Sequence, residues 1–276
     1  MPDMQAVRFD AYGGIDVLEI RAVPRPVPQP GEVLVQVRAA GINPGETKIR
    51  VGMFKDRWPS TFPAGQGSDF AGIVTVAGAD VRGFKTGDEV FGYVDTRSSH
   101  AEFVVAPAAQ VAAKPPRVGW EAAGGLGVVG RAATAAVCAL GASNNEVVAV
   151  SAAAGGVGVL AVQLLVREGV SVLAIAGPSN DIWLSEHGAV PVNHGPDLAR
   201  RLAAASPSGR TDAFLDLFGP PYVDLAIQEL GVTPARVNTI IDFAGAARLG
   251  AKTEGSANAG IADLSTLAAL IDRGAL

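Results

Sequence analysis

Three glycines, Gly155, Gly156 and Gly158, stand in the run Ala152-Ala153-Ala154-Gly155-Gly156-Val157-Gly158, directly after the apolar residues 147–151. Glycines at this spacing let a chain turn tightly and let a pyrophosphate approach without side-chain obstruction. The N–H groups at the start of the following helix then point at the anion. The chemistry such a loop serves is dinucleotide binding, with Ala153, Ala154, Gly155, Gly156, Val157 and Gly158 as candidate cofactor contacts. An NAD site carries an Asp or Glu at the end of its second strand for the ribose 2′-hydroxyl. Here that place reads Gly177-Pro178-Ser179-Asn180, with no acid to repel a 2′-phosphate. NADP(H) is therefore the favoured form, with Gly177, Ser179 and Asn180 as candidate contacts; no Arg or Lys stands there, and an ordinary turn is the alternative reading.

These residues need a frame. Residues 147–151 form a continuous apolar run, as in a parallel strand covered on both faces. Val157, Leu160, Ala161 and Leu164 then recur at helical spacing, and Arg167 with Gly169 reads as the stop. Residues 171–176, 213–218 and 238–242 read as further strands, so strands and helices alternate as in a doubly wound sheet. The earlier part reads differently. Residues 31–38 alternate with Val33, Val35 and Val37 on one face, after an extended approach through Pro24, Pro26, Pro28 and Pro30. Residues 72–78 and 89–94 flank a turn-rich stretch, and short strands at this spacing predict a small β-barrel. The uncharged stretch 147–166 is 20 residues long, which is bilayer-spanning length, but Ser151, Gly155, Gly156 and Gln163 interrupt it. It predicts strand, turn and helix rather than a membrane span.

Composition narrows the function classes. The 276 residues carry 22 Lys+Arg against 27 Asp+Glu, a net charge of −5, so there is no basic footprint for nucleic acid or anionic lipid. With 49% hydrophobic residues the chain can bury one large or two medium cores. Met1-Pro2-Asp3-Met4 places an acid where a secretory signal has lysines, so the expected location is cytoplasmic. Cys138, the single cysteine, can form neither an internal disulfide nor a multi-cysteine zinc site, and its alanine-rich surroundings predict a buried, inert helix residue. His100, His187 and His194 lack ligand spacing and read as surface or packing residues.

One further set of segments is collinear with a known family: Gly31-Glu-Val-Leu-Val-Gln-Val, the stretch 40–52 with Gly41-Ile-Asn43-Pro-Gly-Glu-Thr-Lys48, Gly67-Ser-Asp-Phe-Ala-Gly, Gly87-Asp-Glu-Val-Phe-Gly, Ala101-Glu-Phe-Val-Val and residues 151–158. Across most of residues 5–245 the chain resembles the zinc-independent quinone oxidoreductases, the zeta-crystallin-like branch of the medium-chain dehydrogenase/reductase superfamily. The resemblance implies an α/β chain made of a GroES-like β-barrel substrate domain over residues 1–118 and a Rossmann doubly wound parallel sheet over residues 119–245, with an active-site cleft between them. Residues 246–276 would end the Rossmann domain and begin a return to the substrate domain that stops short of the family's pattern, either because the chain is a shortened form or because that domain is completed differently.

The superfamily's zinc alcohol dehydrogenases carry a cysteine ligand where this chain has Asn43 and a histidine ligand where it has Ser68, so a zinc-free site is expected. Asn43 is then the candidate donor for a developing oxyanion, with a turn Asn before Pro44 as the bland alternative. Lys48 falls at a polar cleft position, where its ammonium could stabilise an enolate or quinol anion or donate a proton; a plain surface lysine is the equal alternative. Asp69 reads as structural, tying a loop through backbone N–H groups. Phe54 stands near where enoyl-thioester reductases carry a tyrosine, and Ala132 where many members have a threonine. The function implied is NADPH-dependent hydride transfer to a small quinone or activated enone by a homodimeric enzyme. Its rivals are a non-catalytic NADPH-binding sensor or scaffold and an enoyl-thioester reductase.

Overall fold

The computed structural model describes residues 2–276. Contacts divide the chain into two units, one running to Val128 and including Ile261–Ala275, the other comprising Val129–Gly260.

In the first unit β1 (Asp3–Phe9), β2 (Glu19–Pro24), β3 (Glu32–Ala39), the short helix α1 (Pro44–Arg50), β4 (Ala64–Gly65), β5 (Asp69–Ala77), β6 (Glu89–Tyr93), β7 (Phe103–Pro107) and β8 (Val111–Ala113) follow one another. Five strands pair antiparallel in the order β7-β3-β5-β6-β8, and β2-β1-β4 make a smaller sheet. Val33 and Val35 enter one core with Phe70, Val74, Val90 and Val104, as the alternation in residues 31–38 implies. Leu34, on the opposite face, packs with Met4, Ala6 and Phe103, so β3 is covered on both sides. The pairing of β3 with β5 slips between Leu34 and Val35 and again between Val37 and Ala39. Extra residues of this kind bend a strand and deepen its twist, which curls the sheet toward a barrel. After α2 (Trp120–Gly124) the chain passes into the second unit within α3 (Leu126–Leu140).

There β9 (Val147–Val150), α4 (Gly156–Arg167), β10 (Ser171–Ala176), α5 (Asp181–Glu186), β11 (Val190–Asn193), α6 (Leu198–Ala205), β12 (Ala213–Asp216), α7 (Tyr222–Asp224), β13 (Val237–Thr239) and α8 (Phe243–Leu249) alternate. All neighbouring strands are parallel, in the order β11-β10-β9-β12-β13. The order reverses between β9 and β12, and in such sheets ligands bind beyond the carboxyl ends of the strands at that reversal. All four residues of β9 are buried, and α4 covers the sheet with Leu160, Ala161 and Leu165. The stretch 147–166 is thus strand, turn and helix. Among the described residues no helix is long and apolar enough to cross a membrane.

Two strands end earlier than residues 213–218 and 238–242 predict. β12 stops at Asp216 because its carboxylate takes the N–H groups of Phe218 and Gly219, each at 3.0 Å. β13 stops at Thr239, whose hydroxyl accepts from Ile241 N–H at 3.2 Å and Asp242 N–H at 2.9 Å. Beside β13, the Lys252 main chain pairs with Val237 and Thr239 at 2.9 and 3.0 Å. The Asn238 amide extends that pairing, donating to Glu254 O at 3.0 Å and accepting Glu254 N–H at 2.8 Å. The last helix, α9 (Ile261–Asp272), belongs to the first unit, where Asp272 accepts Arg117 N–H at 2.9 Å. Cys138 is exposed rather than buried. The covered face of α3 carries Ala132, Ala133, Ala136 and Leu140, and a position two residues beyond Ala136 lies about 200° round the helix.

Candidate functional site

The glycine loop is shaped by close approach. Ala152 takes a left-handed conformation with φ 46°, Gly155 N–H closes the turn on Ala152 O at 2.9 Å, and α4 begins at Gly156. A Cβ at Gly158 would lie 2.2 Å from Ala152 O and 2.6 Å from Ala153 O. Only glycine lets the first turn of α4 sit this close to the loop. Gly155 and Gly156 are exposed, Ala154 and Val157 half-buried, and Gly158 buried. The N–H groups of the first turn have no intrahelical acceptor and are available to an anion. Ala153 differs: its N–H is engaged by Ile175 O at 3.1 Å, so it contributes a small side chain and not a donor.

At the end of β10, Gly177 leads into a single 3₁₀ turn over Pro178–Asn180. Ser179 is exposed, while the Asn180 amide folds back on Gly177 O at 3.3 Å. Here β11 adds a residue that sequence reasoning treated as surface or packing. His194 N–H donates to Ala176 O at 3.1 Å, and a Cβ at Gly177 would lie 3.7 Å from His194 Nε2. The imidazole, on an exposed residue, therefore stands over the same turn as Ser179. The pairing of Ala176 with Asn193 across β10 and β11 is what brings it there, and only strand register could have disclosed it.

Behind the loop lies a polar network that the sequence did not single out. Ser151, at the carboxyl end of β9 and fully buried, donates to Asp216 Oδ1 at 2.7 Å and accepts Leu217 N–H at 2.8 Å. Thr239 donates to Asp216 Oδ2 at 2.7 Å. One carboxylate thus ties the ends of β9, β12 and β13, with the Phe218 and Gly219 N–H groups completing its acceptor sites. A buried charge is tolerated when its lone pairs are met this way. Burial pushes the Tyr222 phenol above its ordinary pKa, and the charge of Asp216 adds to the shift.

In the first unit Asn43 precedes α1 and is 6% exposed. Its amide donates to Asp69 Oδ2 at 2.9 Å and to Glu46 Oε1 at 3.3 Å. Carboxylates accept only, so both amide protons are committed and the amide can offer a ligand only its Oδ1. Asp69, fully buried, also accepts Val128 N–H near the start of α3 at 2.7 Å. A Cβ at Gly41 would lie 2.6 Å from Asp69 Oδ2, so the glycine makes room for the carboxylate. Glu46 Oε1 accepts Ser68 N–H at 2.8 Å. Lys48 is half-buried near the end of α1, and its ammonium has no hydrogen-bond or ion-pair partner among the described residues. Phe54 packs edge-on against Trp58 at 5.4 Å, and His100 Nε2 meets Gly41 O at 2.8 Å. No group of three or more His, Cys, Asp or Glu side chains is placed to hold a metal among the described residues.

Residues 29–137 match the alcohol dehydrogenase GroES-like domain. The quinone oxidoreductase of Mus musculus is 38% identical over 176 residues, covering 63% of this chain and 53% of that protein. The chloroplast envelope quinone oxidoreductase homolog of Arabidopsis thaliana is 34% identical over 218 residues, covering 75% of this chain and 65% of that protein. The quinone oxidoreductase structure from Coxiella burnetii superposes with a TM-score of 0.86 at 27% identity, covering 99% of this chain and 89% of that one. The chain is similar to the quinone oxidoreductase branch of the medium-chain dehydrogenase/reductase superfamily. It spans about half the length of the first curated relatives it matches, 53% of the mouse protein.

Within this medium-chain fold the GroES-like match begins before β3 and ends inside α3, so it takes in Asn43, Lys48 and Asp69. The glycine loop, the β10 turn and the Asp216 network all lie beyond it, in the parallel-sheet unit. The family implies a nicotinamide cofactor. The residues present fit one: exposed N–H groups at the start of α4, glycine where a side chain would obstruct, and no carboxylate on residues 177–180, the carboxylate of Asp181, which caps that turn, being taken up by the Asn193 amide at 3.0 Å.

Proposed function

We propose that this protein is an NADPH-dependent, zinc-free oxidoreductase that passes hydride to a quinone or an activated enone. The observation that carries the reading is the β9–glycine turn–α4 geometry beside residues 177–180 at the end of β10, which carry no acid, in a chain similar to quinone oxidoreductases. Reduced nicotinamide, when bound, supplies the hydride.

The chain's own residues bind, orient and neutralise. The first-turn N–H groups of α4 hold the pyrophosphate. Ser179 and the His194 imidazole meet the 2′-phosphate at the end of β10, which favours NADPH over NADH. The donor role read for Asn43 in the sequence passes to Lys48 in this proposal, since the Asn43 protons are held by Asp69 and Glu46. The Lys48 ammonium, without a protein partner, neutralises the oxyanion that develops as hydride arrives and can deliver a proton to it. A quinone or enone is already electrophilic, so no Lewis acid is required to begin the reaction.

The test is reduced-nicotinamide oxidation with a benzoquinone, a 2-alkenal and an enoyl-CoA, using NADPH and NADH in parallel. Turnover of the quinone or alkenal with NADPH preferred is expected. Folded protein that binds NADPH but turns over nothing would leave only a binding role, and turnover of the CoA ester alone would mark an enoyl-thioester reductase.

A further inference from the structure

Arg8 is a part-buried cation without an anion. Met4, Ala6 and Arg8 alternate onto one face of β1; the first two enter a core with Leu34 and Phe103, and Arg8, half-buried, follows them on that face. The ladder sets Glu19 opposite Arg8, but Glu19 and Asp10 are both taken by Arg21, at 2.9 and 2.5 Å. The Arg8 guanidinium donates to Val7 O at 2.8 Å and meets no carboxylate among the described residues. Its burial, with the charge of Arg21 adding to the effect, holds it below its ordinary pKa.

Arg8 lines a cavity of about 370 Å³ within the first unit, a volume in the range of small-molecule sites. Met4, Phe103, Val105 and Pro107 give it apolar walls, and Arg25, over the Phe103 ring at 3.8 Å, holds that ring in place. Beside Arg8 the wall is polar. A Cβ at Gly65 would lie 3.3 Å from both Arg8 Nη1 and Ser98 Cα, so the two residues flank one glycine. The hydroxyls of Thr96 and Ser98, both on the cavity wall, share one hydrogen bond at 2.8 Å, which leaves one O–H to donate to a ligand. Two acids also line the cavity: Glu32 accepts Gln29 N–H at 2.9 Å, and Asp95 accepts from the Gln110 amide at 2.7 Å. Neither the Asn43–Glu46–Asp69 cluster nor the glycine loop contributes a residue.

The geometry points to a binding site for a monocarboxylate with an extended apolar body, its carboxylate on Arg8 and the Thr96–Ser98 hydroxyls and its chain along Met4, Phe103 and Val105. An arginine presents a planar fork that matches a carboxylate, and charge-assisted bonds of this kind are the strong ones. Arg8 provides for one negative charge, and Glu32 with Asp95 repels a second. The site stands apart from the cofactor reading and does not depend on it.

The experiment titrates decanoate, decan-1-ol and decanedioate into the unmodified full chain, Arg8→Met and Arg8→Lys by calorimetry, with thermal unfolding alongside. Decanoate is expected to bind one-to-one, with the alcohol and the diacid each about tenfold weaker. Arg8→Met is expected to weaken decanoate about tenfold and to leave the alcohol within about twofold, while Arg8→Lys, which keeps the charge, retains most of the affinity. Decanoate should raise the unfolding midpoint of the unmodified protein and, at the same concentration, leave that of Arg8→Met in place. Absence of saturable decanoate binding overturns the proposal, as does an alcohol or diacid that binds as tightly as decanoate, a comparison that needs no variant. Decanoate affinity of Arg8→Met within twofold of the unmodified protein overturns it as well.

Discussion

Replacing Gly158 by alanine tests whether close approach shapes the cofactor loop. The new Cβ would sit 2.2 Å from Ala152 O and 2.6 Å from Ala153 O, both main-chain atoms that no side-chain rotation can clear. To reach even a 3.0 Å contact the first turn of α4 must retreat by about 0.8 Å, the difference between 3.0 and 2.2 Å. Overpacking of this kind costs about 1–3 kcal/mol, partly offset by about 1 kcal/mol of helix propensity gained over glycine. The same retreat carries an N–H···O bond of about 2.9 Å out to about 3.7 Å, beyond hydrogen-bond range. Losing one or two charge-assisted bonds of about 1.5 kcal/mol each weakens dinucleotide binding about 10- to 100-fold. Gly156→Ala is the internal control, since its Cβ would meet only Val129 Cγ1, at 3.3 Å, on an exposed residue. That variant should keep its stability while a methyl group obstructs the anion. The assay is NADPH titration by fluorescence alongside thermal unfolding. Gly158→Ala with both the unfolding midpoint and the NADPH Kd unchanged would refute the steric reasoning.

Lys48→Met should lower kcat about 100-fold with NADPH affinity preserved, because the ammonium acts on charge that develops during hydride transfer; rapid-mixing kinetics with a quinone measure it, and kcat within threefold of the unmodified protein removes Lys48 from the chemistry. Asp69→Ala leaves the Asn43 amide and Val128 N–H without their acceptor in a fully buried place, and denaturant unfolding should show a loss of about 3 kcal/mol. Against the upward push of partial burial, the Ser143 N–H and the Arg236 guanidinium hold the Glu146 carboxyl below its ordinary pKa. A depressed folded-state pKa gives stability that is present above the unfolded value of about 4.3 and is lost as pH falls through the folded one. Glu146→Gln should therefore flatten the acid limb of the stability–pH curve below about pH 5, and an unchanged slope would show that the pair contributes nothing to acid sensitivity.

Much of the parallel-sheet unit could be read from composition alone. A strand buried on both faces must be apolar throughout, so residues 147–150 and 171–176 were visible as runs. The strands read over residues 213–218 and 238–242 overrun β12 and β13 because hydrogen bonds accepted by Asp216 and Thr239, rather than a change in hydrophobicity, end them. Cys138 shows the converse limit: in an alanine-rich helix the buried face has little contrast, and the phase that exposes the thiol is not apparent. His194 reaches the Gly177 turn only through the register of β11 on β10. The Asn43 amide looked like a donor because its spacing says nothing about Asp69, 26 residues away, which takes one of its protons.

The most direct test of hydride transfer is a single-turnover reaction of the full chain with 1,4-benzoquinone, using NADPH and its C4-deuterated form. Oxidation of bound NADPH with a primary deuterium isotope effect, reduced about 100-fold in rate in the Lys48→Met variant, is the expected result. Stoichiometric NADPH binding with no protein-dependent oxidation would contradict the proposed activity.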